Sequence, residues 1–294
     1  MKRYPPVRRT ILPVTLCVLA AVGALFVSGS IRLDDGFTFF LLADPQFGMM
    51  TGNKDFSWES RNFEKAVAAA NRLKPAFVMV LGDLVNREGD PAQIAEFRRI
   101  AGTLDRSIPL YQVPGNHDLG NLPTVESLAE YRRRFGPDYF SFETGGVVCL
   151  ALDTSLIKPA PGLAEEKSRQ RKWLEEQLRK ASERKQRVFL FQHIAWCLKD
   201  ADEPDAYENI GRADRRDYLA LLESSPVTQV FAGHRHMNGR VRIGRIEEII
   251  VGPVGKNLGS DPPGVGLVKV AAAGVVFRYV SLDDLSNLDY KSPD

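Results

Sequence analysis

The residues best equipped for chemistry in this 294-residue chain are its four histidines, and each stands just behind an apolar run. His117 lies in Val113-Pro114-Gly115-Asn116-His117-Asp118, where three side chains able to bind metal or move protons follow a forced turn without a spacer. His193 follows Arg187 to Gln192, and His234 and His236 follow Val227 to Ala232 in His-x-His spacing. Asn, His and Asp are poor strand residues; turn chemistry explains one such cluster, but not every histidine of a chain at a strand end. Imidazole is the commonest metal ligand among side chains. Joined by Asp44, Asp83 and the amide of Asn116, the histidines form a mixed oxygen and nitrogen donor set suited to Mn, Fe, Zn or Mg; without thiolates, a structural zinc site is not expected. In two-metal hydrolases a carboxylate commonly bridges cations that lie about 3.5–4 Å apart.

Such a set needs a scaffold that brings distant positions to one rim. Phe37 to Ala43, Ala76 to Leu81 and Ile108 to Val113 read as strands covered on both faces, ending respectively at Asp44-Pro45-Gln46, Gly82-Asp83 and Gly115-Asn116. Between and after them, helices are expected over Arg61 to Arg72, from Pro91 to about Leu104, over Thr124 to Phe135 with Thr124 as cap, over Glu165 to Glu183, and over Asp214 to Ser224. Thr144-Gly145-Gly146 marks a hairpin, and Arg240 to Ser281 reads as an antiparallel sheet. Alternating strand and helix over the first two thirds indicates an α/β domain, whose ligands gather beyond the carboxyl ends of its strands. Asp44, Asp83, Asn116, His193 and His234 each follow a different strand there.

The net charge of +2, from 39 basic and 37 acidic residues, gives no reason to expect nucleic acid as a partner. Residues 1–30 form a separate object, either signal peptide or membrane anchor: Lys2, Arg3, Arg8 and Arg9 precede an uncharged run over 11–27, and small residues follow at Ser28-Gly29-Ser30. Basic residues favour the cytoplasmic side, so this head predicts an extracytoplasmic domain, exported or tethered through residues 11–27. In that setting Cys149 and Cys197 are candidates for one disulfide.

Asp44-x-Gln46, Gly82-Asp83, Gly115-Asn116-His117-Asp118, His193 and Gly233-His234-x-His236 resemble the successive motifs of the calcineurin-like metallophosphoesterases. Within them, Ala43 to Gly48, Gly115 to Asn121, Tyr139 to Phe142, Gln192 to Ile194 and Tyr279 to Leu285 are similar to the calcineurin-like phosphoesterase domain-containing protein 1 group. The resemblance implies one catalytic domain over residues 34–285, a tail over 286–294, and a four-layer αββα sandwich. It implies two divalent ions, the first held by Asp44, Asp83 and His236 and the second by Asp83, Asn116, His193 and His234, with Asp83 bridging. His117 would protonate the leaving oxygen and Asp118 would orient its ring. Gln46 occupies a ligand position where the wider family commonly has His, and an amide oxygen is a weaker, harder donor than imidazole.

The function so implied is hydrolysis of phosphomonoesters, with phosphoserine or phosphothreonine in proteins suggested by the closer group, through in-line attack of a hydroxide bridging the two metals. A phosphodiesterase acting on nucleotides or lipid headgroups, and an inactive metal-stabilised binding module, are the alternatives. His117 and Asp118 speak against the module, because neither is needed merely to hold metal.

Overall fold

Continuous apolar runs become strands buried on both faces, and the computed structural model, which describes residues 36–288 apart from 161, arranges them in two sheets. The first has the order β11-β10-β1-β2-β3, with β1 (Phe37–Leu42), β2 (Val78–Leu81) and β3 (Leu110–Val113) parallel and the β10 (Gly264–Ala271) and β11 (Gly274–Ser281) hairpin added antiparallel to β1. The second has the order β4-β5-β6-β7-β9-β8. There β5 (Val147–Ala151), β6 (Arg187–Phe191), β7 (Val227–Ala232) and β9 (Ile246–Ile250) are parallel, while β4 (Phe140–Thr144) and β8 (Gly239–Ile243) run antiparallel at the edges.

One side chain in two from each sheet enters the space between them. Phe39, Leu41, Phe77, Met79, Phe189, Phe191, Phe231 and Ile249 form this central core. Its aromatic rings meet in stacked and edge-on pairs, such as Phe39 on Phe77 with centroids 4.5 Å apart, the geometries their quadrupoles favour. The alternate residues of the first sheet pack against α1 (Ser57–Leu73), α2 (Pro91–Ala101) and α4 (Val125–Phe135), and those of the second against α5 (Ala164–Glu183) and α6 (Arg212–Glu223). The result is the expected αββα sandwich.

Local signals explain several boundaries. Thr124 caps α4 by accepting from the Ser127 N–H, and Asp90 caps α2 just ahead of Pro91. Gly145 and Gly146, at φ of 51° and 77°, make the β4–β5 hairpin turn, where two successive positive φ values are required.

Three expectations are corrected. The segment from Arg240 onward is not one antiparallel sheet: β8 and β9 complete the second sheet, with β9 parallel to β7, whereas β10 and β11 complete the first. Alternating apolar runs identify strands without saying which sheet receives them. Cys149 and Cys197 are free and buried in different cores, one between the sheets and one beneath α5 and α6, and burial raises both thiols well above their usual range. The exported or membrane-tethered placement is withdrawn: among the described residues no helix is long and apolar enough to cross a membrane, and residues 11–27, on which it rested, lie outside them.

Candidate metal centre

Seven predicted ligands, Asp44, Gln46, Asp83, Asn116, His193, His234 and His236, meet at the carboxyl ends of five strands, and all are buried. Five of them, Asp44, Gln46, Asp83, His234 and His236, have positive φ between 38° and 69°, a conformation costly for residues with a Cβ and concentrated at functional sites. The turns also press against one another: a Cβ on Gly115 would lie 2.1 Å from Asp83 Oδ1, so only glycine lets the turn after β2 approach the turn that carries Asn116 this closely.

Hydrogen bonds fix which ring nitrogens face inward. His193 Nδ1 donates to Leu81 O at 2.7 Å, leaving Nε2 to face Asp83 Oδ1 at 3.3 Å, Asn116 Oδ1 at 3.1 Å and His234 Nδ1 at 3.2 Å. His234 Nε2 donates to Tyr207 O at 3.2 Å, so its Nδ1 is likewise unprotonated in the neutral ring. The Asn116 amide nitrogen donates to Asn121 Oδ1 at 2.8 Å and Tyr207 Oη at 2.9 Å, which turns Oδ1 toward the histidines. With both rings neutral, four lone-pair atoms therefore converge with no proton among them. Such an arrangement is repulsive unless a cation lies between them.

Another set lies beside this one. Asp44, Asp83 and His236 bring ligand atoms within 4.8 Å of one another, as do Asp83, His193 and His234, so Asp83 belongs to both. His236 Nδ1 donates to Lys256 O at 2.6 Å and Nε2 faces Asp44 Oδ1 at 3.6 Å. Gln46 Nε2 donates to Asn86 Oδ1 at 3.2 Å, but its buried Oε1 has no donor. An orphaned oxygen in this position fits a cation, as does the donor chemistry of both sets.

The charges ask for the same thing. Burial disfavours a proton on His193, but Asp83 and Asp44 outweigh burial and raise it to about 9. Burial, together with the His193 charge, drives His234 down to about 3. Burial lifts Asp44, whereas Asp83, despite burial, is held far below the usual carboxylate range by the histidines around it. A proton on His193 is the positive charge that this cluster would otherwise take from a metal.

The calcineurin-like phosphoesterase profile matches residues 37–238. The chain is 39% identical to the serine/threonine-protein phosphatase CPPED1 of Pongo abelii and 38% identical to that of Homo sapiens, in each case over 85% of both chains. The crystal structure of a dimetal phosphatase from Danio rerio superimposes with a TM-score of 0.62 at 16% identity, covering 84% of this chain and 96% of that one, which shows the shared fold. The chain belongs to the calcineurin-like phosphoesterase family. It is therefore a metal-dependent phosphoric ester hydrolase of a family that works with two metals.

In this phosphoesterase the predicted pairing of His117 with Asp118 is not formed. His117 Nδ1 contacts Asn86 O at 2.8 Å, while its backbone N–H donates to Asp83 Oδ1 at 2.8 Å. Asp118 is spent on backbone: its carboxylate accepts from Leu84 N at 2.9 Å, Val85 N at 3.2 Å and Gly115 N at 2.8 Å, tying the turn after β2 to the turn after β3. Three N–H donors satisfy it, although burial and the charge of Asp83 raise it to about 7. Adjacency in sequence put Asp118 next to His117 in α3 (Asn116–Leu119) but aimed its side chain away from the ring.

Sequence reasoning also missed Tyr207, Asn121 and Lys158. Tyr207 holds Asn116 by its hydroxyl and His234 by its carbonyl, and Lys158 Nζ donates to that carbonyl at 2.8 Å. The loop containing Tyr207 is acidic, with Asp200, Asp202, Glu203, Asp205 and Glu208, but nothing in its composition singles out one tyrosine.

Proposed function

We propose that this phosphoesterase hydrolyses phosphomonoesters, with phosphoserine or phosphothreonine in proteins as its substrate class, and that the two ligand sets hold one divalent ion each. The observation that carries the reading is the convergence of His193 Nε2, His234 Nδ1, Asn116 Oδ1 and Asp83 Oδ1 on one point, beside the Asp44 and His236 set that shares Asp83. When bound, two such ions polarise phosphoryl oxygens and lower the pKa of water for in-line attack. Asp44, Gln46, Asp83 and His236 would hold the first ion, and Asp83, Asn116, His193 and His234 the second. The protein class of substrate follows the name of the CPPED1 relatives.

The remaining chemistry belongs to side chains. His117 is half-buried next to Asp83, and the Asn86 carbonyl fixes its Nδ1, which leaves Nε2 to meet a leaving oxygen and supply its proton. Asp118 acts as a positioning residue through backbone, by holding the turns that carry Asp83 and Asn116 in register.

Purified protein loaded in turn with Mn, Fe, Zn and Mg, and assayed on an aryl phosphomonoester, a phosphoserine peptide and a phosphodiester, tests the proposal. Monoester and peptide turnover with two metals per chain is the expected result. Turnover of the diester alone would make it a phosphodiesterase, and no turnover with any metal would leave a binding module.

A further inference from the structure

Next to Asn116 and His234 lies a recess of about 220 Å³ between the 120–123 turn, Pro159 and Tyr207, with Ile194 also in its lining. Pockets that enclose a whole small-molecule ligand usually measure about 300–1,000 Å³, so this one suits part of a larger substrate. Its walls are mainly apolar: Leu122, Pro123, Pro159, Ile194 and the Tyr207 ring. The one cation, Lys158, is already engaged, with Nζ 2.8 Å from Tyr207 O and 5.4 Å from the centre of the Tyr207 ring, and Glu208 and Asp205 act on its charge. Little positive charge is left to draw a second anionic group into the recess.

Segments that leave the same strand ends carry further exposed apolar side chains. Of the seven large hydrophobic residues exposed among the described residues, Met50, Trp58, Leu122, Val125, Tyr207 and Leu258 lie on segments that leave the carboxyl ends of β1, β3, β6 and β9, and only Val276 lies elsewhere. Leu122 is the most exposed, at 67%. Exposed apolar side chains such as Leu122 and Tyr207 beside the catalytic centre are what a macromolecular substrate would cover.

We infer that the recess beside Asn116 and His234 is a specificity subsite for an apolar side chain adjacent to the phosphorylated residue of a protein substrate. The inference rests on the proposed reading of the centre as a protein phosphomonoesterase. Leu122 and Pro123 form one wall and the Tyr207 ring the other, so a leucine-sized group entering between them leaves water as the phosphate reaches the metals. Tyr207 then serves two ends at once, as a wall of the subsite and as the hydrogen-bond partner of Asn116.

The test uses the metal-loaded full-length protein and phosphoserine peptides that carry Leu, Ala or Asp on either side of the phosphorylated residue, with a small alkyl phosphomonoester as reference. At one flank, Leu should exceed Ala by about 10–100-fold in kcat/KM, the range hydrophobic pockets give, chiefly through KM, and Asp should be poorest. In Leu122→Asp, an exposed position where folding is not at stake, that preference should collapse while turnover of the small phosphomonoester stays unchanged. Equal turnover of all peptides, or a Leu preference that survives Leu122→Asp, would overturn the subsite and leave the protein phosphatase reading intact. Turnover of the small ester with none of the peptides would overturn that reading and the subsite with it.

Discussion

At the second ligand set every ligand is held by a named partner: Leu81 O on His193, Tyr207 O on His234, Asn121 with the Tyr207 hydroxyl on Asn116, and the His117 N–H on Asp83. At the first set, His236 is aimed by Lys256 O and Asp44 by the His234 N–H, but the Gln46 amide is held by a single bond, from Nε2 to Asn86 Oδ1 at 3.2 Å. The supporting structure differs as well. The 195–210 loop that delivers Tyr207 is pinned by two buried side chains: Glu248 on β9 accepts from Trp196 N at 2.8 Å and Cys197 N at 3.2 Å, and the fully buried Arg215 donates to the carbonyls of Ala201, Ile210 and Glu203. Ligands held by partners lose less freedom when metal arrives, so the second site should bind tighter and the first should exchange.

The largest effect is expected where neither half is touched. His117→Ala should lower turnover by about 10²–10⁴, the loss associated with a positioned acid, while elemental analysis still finds two metals per chain. Equal loss of metal would place His117 in the coordination machinery and break the division drawn here.

Tyr207→Phe keeps the carbonyl that aims His234 and removes only the hydroxyl on Asn116. Second-site affinity should fall by about 10–100-fold, the usual cost of losing such a partner, with the first site unaffected. Competition with a chelator, read metal by metal, checks it; an unchanged second site would mean that Asn121 alone suffices.

In the unaltered protein, chelator should strip the first site before the second, and activity should fall with that first loss. Gln46→His should strengthen the first site toward Zn and narrow the gap between the two. Simultaneous loss of both ions, with metal preference unchanged in the variant, would put Gln46 outside the coordination sphere.

The smallest effect concerns the loop support. Burial raises Glu248 from an ordinary 4.5 to about 8. The folded state therefore holds a proton that the unfolded state gives up over that interval, so stability falls as pH rises from about 4.5 to about 8. Glu248→Gln should flatten this part of the curve in denaturant titrations, without changing the order in which metals leave. A variant as pH-sensitive as the parent would show that Glu248 does not govern it.

What the sequence made legible was whatever repeats a local rule. Apolar runs stopping at Asp44, Asp83, Asn116, His193 and His234 announced strand ends and hence a common rim, and Thr124 and Pro91 marked helix starts. Helix α1 begins at Ser57, four residues ahead of the expected Arg61, because Phe56 packs inward ahead of it and no Ser, Thr or Asp caps the start. Contacts set by the fold were illegible. Asp118 touches Leu84, thirty-four residues away, in preference to its neighbour's ring, and Tyr207 reaches Asn116 across ninety-one. Sheet membership was hidden for the same reason, since β9 pairs with β7 and β10 with β1 by tertiary packing.

The left-handed backbone at Asp44, Gln46, Asp83, His234 and His236 also bears on how this enzyme would respond to selection for heat resistance. Each such residue carries a strain on the order of 1–3 kcal/mol that glycine would not. A library screened only for survival of the fold should therefore collect glycines at the centre and lose its activity, whereas a library screened for turnover should keep those positions and gain its stability in the helical layers. The site is the part of the molecule where durability and chemistry are in direct competition.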